Sequence, residues 1–226
     1  MKETTPFRDR FEAGTLLGRR VAGAVSARDL VVLGLPNGGV PVALKVAEAL
    51  EAPLDVCLVR KLGVPGMQEL AMGAVSGDAL VLNHDLIQAL GLSPTLIEKV
   101  AAVEGRELHR REKAYRRGQP APGIEGRTAI LVDDGLATGA TMLAAIRASR
   151  PRHPSKLIVA VPVCSREAYY EVGAEADEVF CLETPTPFRA VGAWYENFPQ
   201  LSDDEVCEIL DRARNKQDHP SRPTLY

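Results

Sequence analysis

The sequence predicts an α/β fold: a doubly wound, mainly parallel five-stranded sheet with helices on both faces, plus a mainly helical insertion or hood. Three observations predict it. Apolar runs of strand length alternate with segments of helical period, and two of those runs open directly into glycine-rich turns. About 65 residues separate the two alternating series, too many for a plain connection in a compact domain.

In order along the chain, Phe7 to Gly14 has helical character, and Asp29 to Leu35 is an apolar strand ending in Pro36-Asn37-Gly38-Gly39. Val40 to Leu50 then has helical spacing, with Pro41 suited to a first turn. Leu54 to Val59, short and valine-rich, closes a first βαβ unit. The second series runs through a strand at Thr128 to Val132, a helix from Thr138 to Ser149 stopped by Pro151, and a strand at Lys156 to Val161. A short helix from Arg166 to Val172 and a strand from Glu178 to Leu182 complete it. Such alternation implies right-handed crossovers and a parallel sheet.

Residues 62–126 are expected to hold a hairpin and helices. Leu70 to Val75 and Ala79 to Asn83 flank the turn residues Ser76-Gly77-Asp78. Ser93 and Pro94 form an N-cap and first-turn pair for a helix reaching Arg117, stopped by Gly118 and Pro120. A last helix from Asp203 to Arg214 starts on the capping box Ser202-x-x-Glu205, and Gln217 to Tyr226 reads as a loose tail. The chain 1–226 is read as one domain, with 62–126 inserted in it and 183–226 contributing to the hood.

Composition narrows the function. The chain is 46% hydrophobic and 25% charged, with no apolar run near the roughly 18 residues of a membrane helix. The first ten residues lack a signal peptide's apolar stretch, so a cytoplasmic protein without a membrane partner is expected. A net charge of -3 gives no general attraction to nucleic acid. The basic stretch Glu104 to Arg117 contains the i,i+4 pairs Glu107/Arg111 and Glu112/Arg116, which describe a solvated helix face. Cys57, Cys164, Cys181 and Cys207 lie far apart in sequence and suggest neither a disulfide nor zinc. The histidines have no metal or triad partner at a recognisable spacing. A small molecule is the expected partner, and a homodimer is compatible with this reading.

In an open parallel sheet, ligands bind beyond the carboxyl ends of the strands where strand order reverses. The run 128–132 ends in Asp133 and Asp134, whose carboxylates can accept from the two adjacent hydroxyls of a ribose. Leu136-Ala137-Thr138-Gly139-Ala140-Thr141 then turns into a helix, offering backbone N–H groups, two hydroxyls and a helix dipole to one anion. A diol site beside an anion site describes a ribose 5-phosphate. The alternatives are helix capping, a nucleotide-hydrolase acidic strand and a receiver-type acid pocket. A hydrolase needs G-x-x-x-x-G-K-[ST], whereas Gly34 to Gly39 is followed by Val-Pro, and no G-x-G-x-x-G occurs. Gly38 and Gly39 allow either close approach to a pyrophosphate or an ordinary β-to-α turn.

Ala129 to Thr141 resembles the signature of type I phosphoribosyltransferases, and the resemblance covers about residues 29–182. It implies a pentosyltransferase that moves 5-phosphoribosyl from phosphoribosyl pyrophosphate, with Mg2+, to a nitrogenous base, a purine before a pyrimidine, as in nucleotide salvage. It assigns ribose and 5-phosphate binding to Asp133, Asp134, Gly135, Leu136, Ala137, Thr138, Gly139, Ala140 and Thr141. It assigns pyrophosphate to Pro36, Asn37, Gly38 and Gly39, and catalysis to Asp133, Asp134, Arg60 and Lys61, the last two resembling the pair that opens a mobile loop. Two departures stand out. Gly135 replaces an aliphatic residue or serine and is expected to loosen its loop, and Leu62 to Gly66 lacks a second loop lysine, leaving closure to Arg60, Lys61 or Arg127. Phe188 to Phe198 faintly resembles the base-stacking segment of hypoxanthine-guanine enzymes, implying base contact by Trp194 or Tyr195. The same segment puts Glu196 with Asp133 and Asp134 near a metal held mostly by substrate. The rival reading is a donor-sensing regulator or scaffold without turnover. Only about 28 residues precede the first strand, too few for a DNA-binding domain, which favours the enzyme.

Overall fold

The computed structural model describes residues 6–77 and 79–218. The elements are α1 (Arg10–Ala22), β1 (Leu30–Gly34), α2 (Gly39–Leu50), β2 (Leu54–Val56), β3 (Arg60–Val64), β4 (Met67–Ser76) and β5 (Ala79–Leu82). After these come α3 (His84–Leu90), α4 (Pro94–Arg116), β6 (Thr128–Val132), α5 (Ala140–Ser149), β7 (Lys156–Val163), α6 (Arg166–Glu175), β8 (Glu178–Glu183) and α7 (Asp203–Asp218). The predicted tail lies outside the described residues from 219 onward, as does Asp78 of the predicted turn.

The main sheet has the order β2-β1-β6-β7-β8 with every neighbouring pair parallel. Residues of β1 and β6 are buried throughout, as are all but the first of β7, which is why these strands read as unbroken apolar runs. The side chains of α1, α2 and α7 pack with Leu30, Val32, Ile130 and Val132 on one face. Those of α5 and α6 pack with Val31, Leu33, Ala129 and Leu131 on the other. The chain leaves β1 towards β2 on one side and returns to β6 on the other, so the order reverses between β1 and β6. Gly34 pairs with Val132 there, and Leu35 N–H donates to the Val132 carbonyl at 2.8 Å, setting the two following loops side by side.

Between β2 and β6 a separate antiparallel sheet, β3-β4-β5, packs with α3 and α4. Arg60 and Lys61, expected to open a mobile loop, instead begin β3, which pairs with β4 from Arg60↔Val75 to Val64↔Met67. Leu62 and Val64 are buried by this pairing. The expected helices of this region are α4 and the short α3, whose place the sequence reading does not give although both of its boundary signals are present. Asn83 accepts from Leu86 N–H at 3.1 Å, and Gly91 ends the helix at φ 59°. The Ser93 cap of α4 and the reciprocal Ser202/Glu205 cap of α7 form as expected.

Both predicted pairs on α4 form, Glu107 with Arg111 at 3.2 Å and Glu112 with Arg116 at 3.0 Å. Arg116 nevertheless leaves the solvated face: it is buried, donating to Asp55 at 2.8 Å and to the Val56 carbonyl at 3.1 Å. All four cysteines are free, yet Cys164 and Cys181, 17 positions apart, bring their sulfurs to 3.1 Å. Among the described residues no helix is long and apolar enough to cross a membrane.

Candidate active site

Asp133 and Asp134 follow the last residue of β6, beside the Pro36–Gly39 loop that follows β1. A side chain added at Gly39 would meet the Val132 carbonyl at 2.6 Å and Asp133 Cα at 2.8 Å, and one at Gly38 would run into an Asp134 carboxylate oxygen. The glycines therefore let the two loops touch, a third reason beside the two that the sequence allowed. We expect Gly39→Ala to cost about 1–3 kcal/mol by overpacking against backbone. Chemical denaturation would measure it, and an unchanged midpoint would refute this packing.

The Pro36–Asn37 peptide is cis. The Asn37 side-chain amide turns away from the loop, donating to the Leu201 carbonyl at 2.8 Å and to Asp203 at 3.1 Å. Tyr115 at the end of α4 donates to the same Asp203 carboxylate. Asn37 thus fixes the loop to α4 and α7, leaving backbone groups for a ligand.

The acid pair is held from several sides. Asp134 N–H donates to Asp133 Oδ1 at 2.8 Å, and Arg10 Nε donates to Asp134 Oδ2 at 2.8 Å. Arg10 also donates to the Pro199 carbonyl at 2.7 Å and lies 3.7 Å over the Phe198 ring. Tyr195 donates its hydroxyl to the Asp134 carbonyl at 2.6 Å. Burial pushes both carboxyls above the ordinary carboxylate range, Asp133 well above it with help from the neighbouring Asp134 charge. Arg10 opposes that rise at Asp134.

The next loop is pinned on its inner side. Leu136 N–H donates to the Val163 carbonyl at 2.9 Å, while Ser165 donates its N–H to the Leu136 carbonyl and its hydroxyl to the Ala137 carbonyl. Leu136 is buried, whereas Ala137, Thr138, Ala140 and Thr141 are exposed before and at the start of α5. Gly139 turns the chain into that helix at φ 71°. Gly135 does not loosen the loop as expected: a Cβ there would meet Val191 at 2.6 Å and the Val163 carbonyl at 3.0 Å, so its lack of a side chain permits tight packing.

A crevice between the two loops is walled by Pro36, Arg60, Leu108, Arg111 and Thr141. Arg60 pairs with Glu104 at 2.7 Å, and Arg111 with Glu107. Lys61 instead lines a neighbouring cleft with Ala140 and Arg147. Arg127 is removed from the site altogether: it pairs with Asp29 at 2.6 Å and with the Leu30 carbonyl, at the amino ends of β1 and β6. Tyr195 is buried between Phe198 and Phe7, at ring distances of 4.9 and 5.6 Å, so it has no free face for a base. Trp194 is half-buried with an indole N–H that has no partner, and Glu196 is exposed. Sequence reasoning missed Arg10, Arg111 and the positioning role of Tyr195.

Comparison with known proteins agrees with this geometry. A family model described as Phosphoribosyl transferase domain matches residues 12–196. The Mycobacterium tuberculosis protein named "Putative phosphoribosyl transferase Rv0571c" is 48% identical over 208 residues, 92% of this chain, and its counterpart from strain CDC 1551 matches equally. The chain spans about half the length of these curated relatives, 47%. The crystal structure of TT1426 from Thermus thermophilus superposes with a TM-score of 0.84 at 44% identity, covering 91% of this chain and 98% of that one. The acid pair, the glycine loop touching it and the match over 12–196 agree: the chain belongs to the phosphoribosyl transferase domain family.

Proposed function

We propose that this protein transfers 5-phosphoribosyl from phosphoribosyl pyrophosphate to a nitrogenous base, a purine in preference, releasing pyrophosphate. The observation that carries the reading is the direct contact of the Asp133-Asp134 pair with the Gly38-Gly39 loop where strand order reverses. A diol-binding pair touching a backbone-rich anion loop suits a ribose bearing pyrophosphate at C1. The exposed residues 137, 138, 140 and 141 suit its 5-phosphate.

In this mechanism the carboxylates accept from the ribose hydroxyls, fix the ring and face the positive charge that develops at C1. The leaving pyrophosphate rests on the backbone of residues 37 and 38 just before α2, the Gly39 N–H being taken by the Leu35 carbonyl, with Arg60 and Arg111 across the crevice. Mg2+ would be carried by the donor, with Asp133 and Asp134 as the carboxylates beside it. When bound, Mg2+ neutralises charge on the pyrophosphate. The reaction needs only small molecules, without nucleic acid or membrane, and suits a cytoplasmic setting.

The test is pyrophosphate release from the donor with Mg2+ and a panel of purines, pyrimidines and amines. Release with a purine, abolished by chelation, is the expected result. Donor binding without release for any acceptor would replace the enzyme by a donor sensor.

A further inference from the structure

We propose that Cys164 and Cys181 form an oxidation site at which a reversible disulfide weakens ligand binding by the loop at 135–141. Their sulfurs lie 3.1 Å apart, about 1 Å beyond the roughly 2.05 Å of a disulfide. The two residues come from neighbouring strands. Cys164 directly follows β7, its N–H donating to the Glu183 carbonyl at 3.1 Å, and Cys181 lies in β8 with its thiol 3.1 Å from the same carbonyl. Cys181 is half-buried, which gives a small oxidant access to the pair, while Cys164 is fully buried. The contact between the two sulfurs favours ionisation of Cys164 and disfavours that of Cys181, so Cys164 is the sulfur poised to attack once Cys181 or an oxidant presents itself.

With hydrogen peroxide the reaction balances. One sulfur takes an oxygen and releases a first water; the second sulfur displaces that oxygen as a second water. In sum two S–H bonds and the O–O bond break, while the S–S bond and two O–H bonds of the released waters form.

Cys164 sits between the two residues that pin the ligand loop. Val163 accepts from Leu136, and Ser165 holds the Leu136 and Ala137 carbonyls, with Leu136 and Cys164 forming a bridge of their own. Gly135 packs on Val163 with no room to spare. Drawing Cys164 towards β8 therefore shifts the anchors of residues 135–137 together, and the exposed groups at 137–141 with them. The loss of donor affinity rests on the function proposed above; formation of the disulfide does not.

The full-length chain would be treated with hydrogen peroxide, digested without reductant and mapped by mass spectrometry, with donor binding followed by calorimetry before oxidation, after it and after dithiothreitol. We expect a Cys164–Cys181 linked peptide, donor affinity lowered about fivefold or more, and recovery on reduction. Cys181→Ser should neither cross-link nor lose affinity on oxidation. Peroxide that oxidises Cys207 while leaving Cys164 and Cys181 unlinked overturns the site. A cross-link with unchanged affinity overturns its link to the loop. Absence of donor binding by the reduced protein, with the cross-link still forming, instead overturns the proposed function.

Discussion

Exchanging Asp133 and Asp134 together for asparagine should abolish measurable binding of the magnesium complex of the donor. Each carboxylate is assigned a charge-assisted hydrogen bond worth about 1.5–3 kcal/mol, so losing both corresponds to at least two orders of magnitude in affinity. Asparagine keeps the size of aspartate, so the contact with Gly38 survives and the loss is chemical. Calorimetry of the double variant, with circular dichroism as a folding control, would decide; unchanged affinity would remove the acid pair from the site. A pH series adds a second check. Both carboxyls are raised above their unfolded values, so the folded state binds protons more tightly there. Their ionisation costs stability in full above the raised values. As pH falls from those values towards the ordinary carboxylate range, stability rises. Donor affinity of the unaltered protein runs the other way, because an ionised carboxylate is the stronger acceptor for ribose hydroxyls, and the stability slope should vanish in the double variant.

Arg10→Met should destabilise the fold by about 3–5 kcal/mol, the cost of leaving a largely buried charge without its partner. The side chains of Arg10 and Asp134 are only 9% and 14% exposed, so solvent gives little relief. Methionine retains much of the packing on Phe198 but loses the guanidinium that opposes the upward push on Asp134. The Asp134 carboxyl should then rise further, so the deficit should shrink as pH is lowered. Adding Asp134→Asn should recover part of the loss, and full additivity in the double-mutant cycle would refute the pairing.

The parallel sheet and the acid loop were legible because each is a local pattern: unbroken apolar runs, turn glycines, and paired acids before a helix start. The strand β3 was hidden because the run Leu62-Gly63-Val64 is short and broken by glycine and proline, and its partner strand supplies the pattern only after folding. Arg10 left a trace that was overlooked. It shares the buried stripe of α1 with Ala13, Gly14, Leu17 and Val21, and a cation on such a stripe needs a partner. Nothing local could say that the partner is Asp134, 124 positions away. Arg111 looked like one more solvated cation because its neighbours pair along α4, and only the packing of α4 over the β1 loop turns it towards the crevice. Tyr195 was assigned to the base from an aromatic pattern that equally describes core, and the core reading holds.

The grip of Arg10 on Asp134 and on the Pro199 carbonyl, with Phe198 beneath it, also orders events during synthesis. The guanidinium is made before the carboxylate and the carboxylate before the clasping turn, while domains tend to fold from the amino end as they emerge. The acid pair therefore cannot reach its final setting until residue 199 has left the ribosome, and a nascent chain halted before that point would carry the sheet without a finished site.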